Sequence, residues 1–360
     1  MVKILQIVST LKKNGTENFI MNVFRRLDPS KISFDFLIFD DSKDGFYDEI
    51  IKNGSKIYII NPRNKGFLSY HRNLKRFFRL HANEYDGVHM HGTSLTTLAP
   101  LEFAKRYNIP LRMMHMHGTN CMDFHNKFLH KLNKFRIRRL ATHLLSCSTK
   151  AAIWGYGNRN SLIIPNGIDY IKFGYNQFQR QIIRQELGIK KDEKVAIHVG
   201  MFKEVKNHKF LIEIMDVLKK QGEKVILLLT GTGPLEDNIK NFVKEKNLTD
   251  NIKFLGHRED VRNLLSASDI FIFPSFHEGF PFALLESQAN GLPVVASTGV
   301  PVEVKISDNF YFIDLKEGPE KWAEKITEVL KENYDRTADK KINQFSIDSS
   351  LQELIKIYES

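Results

Sequence analysis

Cysteine is nearly absent: Cys121 and Cys147 are the only two in 360 residues. That excludes a disulfide framework and points to a reducing compartment, with both thiols expected to be buried. Long apolar runs are missing too. No stretch approaches the roughly 18 uncharged apolar residues of a membrane-spanning helix, so any membrane contact is expected to be peripheral. The opening MVKILQIVST holds one lysine and a short apolar run, too brief for the core of a secretory signal, and it reads as a first strand. Repeats at solenoid spacing and low-complexity tracts do not occur. Apolar residues at 42% and charged residues at 26% exclude a disordered, collagen-like or coiled-coil chain.

Positive charge is abundant, and it is concentrated. The formal net charge is +11, yet residues 51–150 alone carry +14 together with nine of the thirteen histidines. A local basic surface suits an anionic partner such as a phosphate, a nucleic acid or a lipid headgroup. Short runs rich in Val, Ile, Leu and Phe alternate with segments of helical period, which predicts parallel α/β structure. A first series of strands is expected at 2–9, 34–39, 56–60, 87–91, 111–117, 143–148 and 162–164. A second is expected at 195–199, 225–230, 252–255, 270–273, 294–296 and 311–313. Residues 169–181, between them, have no strong period. Two doubly wound domains separated by a cleft follow, and ligands of such sheets sit beyond the carboxyl ends of the strands.

Residues 274–297 read PSFHEGFPFALLESQANGLPVVAS. Glu278 falls in the loop beyond a strand ending at Pro274, and Glu286 on the helix after that loop. Both can therefore face one ligand. Two carboxylates are good acceptors for vicinal hydroxyls of a sugar or ribose, and a helix N-terminus favours an adjacent anion. Taken alone, one of the two reads as a solvated helix glutamate, the commoner case for an arbitrary pair. The glycine-rich GTGP at 231–234 lacks the Gly-Lys-Ser or Gly-Lys-Thr ending of a P-loop, and a tight turn also accounts for it.

EGFPFALLE followed by GLPVVAS resembles the Glu, seven residues, Glu signature of retaining glycosyltransferases of family 4. NGTENF, HMHG (115–118), IPNGID (164–169), HVGMFKEVKNH (198–208), GTGPLEDNI (231–239) and FLGHREDV (254–261) agree in order and spacing. The branch most resembled builds bacterial capsular and exopolysaccharide repeat units. The resemblance implies a GT-B fold of two Rossmann-like domains with an interdomain cleft. Residues 1–168 would hold the acceptor, 169–340 the donor, and 341–360 would pack back on the first domain. The activity implied is retaining transfer of a sugar from a nucleotide diphosphate donor, UDP-linked, to a lipid-linked glycan.

On the same resemblance, Glu278 contacts donor-sugar hydroxyls and Glu286 the ribose. Lys206 neutralises the diphosphate, a role that charge accumulating on the leaving group also requires. Gly15, Gly231, Gly233, His257, Arg258, Gly279, Phe280 and Pro281 border the donor, and His117 stands nearest the reacting bond, on the acceptor side. Two positions depart from the family pattern. Met201 replaces its usual Arg, removing a charge and a forked donor: either Lys203, Lys206 or another cation compensates, or leaving-group stabilisation is weaker. Asn14 replaces a common second Gly.

His89 and His91 form a pair like His115 and His117, each at alternate strand positions and so on one face. Zinc would need a third ligand at familiar spacing. None appears in the sequence, Asp-X-Asp is absent, and neither a metal nor a cofactor is expected. Lys127, Lys131, Lys134, Arg138 and Arg139 surround Phe128, Leu132 and Phe135, and HRNLKRFFRL (71–80) repeats the composition. A basic amphipathic helix suits an anionic membrane surface; equally, its apolar face packs on the sheet and its basic face is solvated. No nucleic-acid module accompanies the charge. The expected location is cytoplasmic, peripheral at the inner membrane face. A UDP-sugar 2-epimerase of the same architecture and a non-catalytic nucleotide-sugar or glycan binder are the rival readings.

Overall fold

The computed structural model describes residues 1–119, 124–157 and 160–360, and the side chains of residues 124 and 125 are not described. Cys121 lies outside these residues. Cys147 is a fully buried thiol.

The chain divides into two units, residues 1–167 with 347–360, and residues 168–346. In the first, β1 (Val2–Val8), α1 (Gly15–Phe24), β2 (Ile32–Ile38), α2 (Tyr47–Lys52), β3 (Ile57–Ile59), α3 (Phe67–His81), β4 (Gly87–Gly92), α4 (Ala99–Arg106), β5 (Leu111–Met116), α5 (Phe124–Leu140), β6 (His143–Ser146), α6 (Thr149–Tyr156) and β7 (Leu162–Ile163) alternate strand and helix. Its strands lie in the order β3-β2-β1-β4-β5-β6-β7, all parallel.

The second unit runs α7 (Gln177–Glu186), β8 (Lys194–Val199), α8 (His208–Lys220), β9 (Val225–Thr230), α9 (Glu236–Glu245), β10 (Ile252–Phe254), α10 (Val261–Ala267), β11 (Ile270–Phe273), α11 (Phe282–Ala289), β12 (Val294–Ser297), β13 (Phe310–Ile313) and α12 (Gly318–Lys331). Its parallel order is β10-β9-β8-β11-β12-β13. The last helix, α13 (Ile347–Tyr358), belongs to the first unit, where Ser350 Oγ donates to Pro165 O at 2.9 Å and the Tyr358 hydroxyl lies 2.8 Å from His89 Nδ1.

Helices cover both faces of a parallel sheet, so its central strands read as nearly continuous apolar runs. β9 (VILLLT) is buried at every position. Each of the expected strands is present. In both units the chain winds first one way from its opening strand and then the other, so β1 separates β2 from β4 and β8 separates β9 from β11. Each reversal leaves a crevice beyond the strand ends, the place where open α/β sheets bind ligands.

Candidate functional site

In the second unit the crevice lies between the loops that follow β8 and β11. The loop after β8 passes through Gly200, Met201, Phe202 and Lys203 into a single 3₁₀ turn (Glu204–Lys206). Asn207, at φ 54°, then turns it into α8. Asparagine tolerates that left-handed conformation better than most residues. The loop after β11 is tied to this turn by Phe276 N–H donating to Val205 O at 2.9 Å and by Asn207 Nδ2 donating to Pro274 O at 3.2 Å. These bonds bring Lys206 Nζ to 2.7 Å from Glu278 Oε1, with the ammonium 4.7 Å from the centre of the Phe273 ring. The two side chains are only 19% and 14% exposed. Seventy-two positions apart in sequence, a cation and a carboxylate are thus paired at the strand ends.

The glycines here have packing reasons. A Cβ on Gly200 would stand 3.0 Å from His198 Nε2 and 3.3 Å from Lys206 Cδ. At Gly231, with φ +135°, it would meet Gly200 O at 2.1 Å, and at Gly233 Phe202 O at 2.6 Å. The GTGP turn therefore lies flat against the Gly200–Phe202 loop, where Phe202 N–H donates to Thr232 O at 3.1 Å. His198 and His208 sit behind Lys206. Burial, reinforced by the Lys206 charge, pushes His208 down to about 4; burial, then neighbouring His208, lowers His198 further. Neither histidine stands out in the sequence, although both lie in HVGMFKEVKNH, because ten positions separate them and the fold is what brings their rings to 4.9 Å between centres.

Glu286 faces a cavity of about 500 Å³ lined also by Lys172, Phe173, Glu259, Asp260, Val261 and Arg262. Burial pushes its carboxyl up to about 7. Of the other expected donor residues, Arg258 is occupied by a fork onto Asp260 (2.7 and 2.8 Å) and by Glu186 at 2.9 Å. His257 is exposed. Phe280 is buried and its ring packs on Phe345, 5.5 Å between centres, while Pro281 precedes the first residue of α11 in extended conformation. Lys203 is exposed and Met201 half-buried.

In the first unit His89 and His91 of β4, His115 of β5 and His117 just beyond it form one buried cluster. Ring centres of His89 and His91, and of His115 and His117, are 4.1 Å apart. His91 Nδ1 lies 2.9 Å from His117 Nε2, and His91 Nε2 lies 2.8 Å from Gln6 Oε1. His89 Nε2 is 3.3 Å from His115 Nδ1. Desolvation holds all four rings neutral, His89 and His117 down to about 3 and the other two well below the ordinary range. His89, His91 and His115 offer three nitrogens within 4.8 Å of one another, spacing that an ion could use. In the chain itself these rings bond chiefly to one another and to Gln6 and Tyr358. Gly15 opens α1, and a Cβ there would meet nothing within 4 Å.

The basic helix α5 faces the opposite way from an ordinary amphipathic helix. Among its described side chains, His130, Asn133 and Ile137 are buried, whereas Phe128, Leu132 and Phe135 are 56%, 47% and 73% exposed. The reading that packs the phenylalanines on the sheet is thus corrected. Polar anchors replace them: Leu95 N–H donates to His130 Nδ1 at 3.0 Å, and Asn133 Nδ2 donates to Leu95 O at 2.7 Å. Lys127, Lys131, Arg138 and Arg139 are exposed beside those rings. Lys134 Nζ reaches Ile153 O at 3.1 Å. In α3, by contrast, Tyr70, Leu74, Phe77 and Phe78 are buried. No helix of the described residues is long and apolar enough to cross a membrane.

A family model described as Glycosyltransferase Family 4 matches residues 13–171, and one described as Glycosyl transferases group 1 matches residues 179–345. The putative glycosyltransferase EpsF of Bacillus subtilis (strain 168) is 31% identical over 335 residues, 90% of this chain and 86% of that one. The capsular polysaccharide biosynthesis glycosyltransferase CapH of Staphylococcus aureus is 27% identical over 370 residues, 100% of this chain and 99% of that one. An Escherichia coli UDP-Gal:alpha-D-GlcNAc-diphosphoundecaprenol alpha-1,3-galactosyltransferase is 27% identical over 248 residues, 65% of this chain and 61% of that one. Among solved structures, Anabaena Alr3699/HepE in complex with UDP and glucose has a TM-score of 0.80 at 18% identity, with 100% of each chain covered, a likeness of fold.

Proposed function

The chain belongs to the glycosyltransferases of family 4 and group 1 and has their GT-B fold, and from that premise we propose that it transfers a sugar from a UDP-sugar, with retention, to a lipid-linked glycan acceptor during polysaccharide synthesis. The observation that carries this is the Lys206–Glu278 pair at 2.7 Å, set where the β8 and β11 loops meet. As the bond between the sugar C1 and the diphosphate oxygen breaks, negative charge grows on the departing UDP, and a preorganised ammonium at that point stabilises it. Lys206 takes this role, with exposed Lys203 as a second cation where Met201 supplies none. Glu278 accepts from donor-sugar hydroxyls, and Glu286 from the ribose. The acceptor hydroxyl attacks C1 from the face the UDP leaves, its proton passing to a phosphate oxygen, and His117 orients the acceptor. The second unit thus holds the donor, and the first the acceptor.

The outward face of α5 supports peripheral docking on an anionic membrane. Phe128, Leu132 and Phe135 stand among lysines and arginines, and exposed apolar side chains with flanking cations together suit an anionic bilayer surface. The lipid-linked acceptor in the E. coli relative's name fits the same reading. The test is UDP release and label transfer by the purified chain, with a panel of labelled UDP-sugars and extracted bacterial lipids. Transfer that requires both supports the proposal; interconversion of the UDP-sugar without a lipid acceptor contradicts it.

A further inference from the structure

The reversal of winding in the first unit has its own crevice, between the ends of β1 and β4, and a cavity of about 270 Å³ opens there. Hydroxyl side chains dominate its polar lining: Ser9, Thr93, Ser94, Thr96 and Thr97. No carboxylate is among the lining residues, and the one full charge is Arg63. That guanidinium is half-buried, donates from Nη1 to Thr96 O at 3.1 Å, and has no carboxylate partner among the described residues. Five N–H donors and no acceptor make arginine selective for strong acceptors, and its planar fork matches a phosphoryl group. Hydroxyls, which donate and accept, suit a sugar ring. His91 also lines the cavity and is bonded to His117.

We propose that this cavity binds a phosphorylated monosaccharide, with Arg63 on the phosphoryl oxygens and the serine and threonine hydroxyls on the ring. The proposal rests on the glycosyltransferase reading, and it makes the acceptor's first sugar, with its anomeric phosphate, the group recognised. The volume is close to the ~300 Å³ at which ligand pockets begin, room for one sugar phosphate rather than an oligosaccharide.

The experiment is calorimetric titration of the full chain with N-acetylglucosamine 1-phosphate in saturating UDP, which occupies the donor site, beside titrations with N-acetylglucosamine and with inorganic phosphate. The sugar phosphate should bind more tightly than either fragment. Arg63→Ala should weaken it by about tenfold or more, the loss of a charge-assisted pair, and Arg63→Lys should weaken it less. UDP titration of the Arg63 variants reports that they are folded. Unaltered sugar-phosphate affinity in Arg63→Ala overturns the proposal, as does equal binding of the free sugar or of inorganic phosphate alone. Failure of UDP to bind the wild-type chain contradicts the donor site instead, and leaves the Arg63 comparison readable.

Discussion

Lys206 and Glu278 are useful to each other before any ligand arrives: each keeps the other's charge compensated in a corner where His198 and His208 are held neutral. Transfer should therefore be more sensitive to this pair than stability is. Lys206→Ala should lower kcat by about 10²–10³, the usual effect of removing one preorganised transition-state contact, and steady-state UDP release measures it. Glu286 titrates in a different window. Folded, its carboxyl keeps its proton to about pH 7, whereas the unfolded chain releases it near 4.5. The folded state binds the extra proton between these limits, so this contribution to stability is full below about 4.5 and lost as pH rises to about 7. Denaturant melts of wild type and Glu286→Gln across pH 4–8 should show this contribution as the difference between the two, since the buried histidines give both proteins a pH dependence of their own. Gly231→Ala should destabilise the second unit, since the new Cβ would lie 2.1 Å from Gly200 O at a φ of +135°. Thermal unfolding checks it.

Helix α5 presents two unlike faces. Asn133→Ala would strip the partner from Leu95 O and should cost about 1–3 kcal/mol in chemical denaturation. Phe135→Ser, at a site 73% exposed, should leave stability within about 0.5 kcal/mol while reducing binding to anionic liposomes in a sedimentation assay. The strands were legible because parallel sheets buried on both faces need unbroken Val, Ile and Leu. The facing of α5 was not. Residue hydropathy points Phe128, Leu132 and Phe135 inward, whereas the bonds of His130 and Asn133 to Leu95, and the contact of His130 with Trp154 O at 2.9 Å, go with their burial instead. Arg63 was equally hidden, because its meaning comes from the company of Ser9 and Thr93–Thr97, brought together by the winding of the sheet.

Two sheets of like topology divide the chemistry: the second unit carries the cation–carboxylate pair, and the first carries most of the positive charge, +14 within residues 51–150. Association with anionic vesicles should weaken steeply between low and physiological salt, since exposed charges are screened over about 10 Å at 0.1 M. The motifs made the second unit's loops legible as a candidate donor site: Glu278 and Glu286 stand eight positions apart, and Lys206 falls in HVGMFKEVKNH, where the family resemblance gives it a role. Their pairing across seventy-two residues, and the glycine contacts that seat the loops, needed the fold. The most direct test of the account is transfer of labelled sugar from UDP-sugars to extracted lipid acceptor by wild type, Lys206→Ala and Glu278→Ala. The account predicts lipid-linked product from the wild type and at least a hundredfold less from either variant, roughly the effect of one lost transition-state contact. Undiminished transfer by folded Lys206→Ala and Glu278→Ala would contradict it.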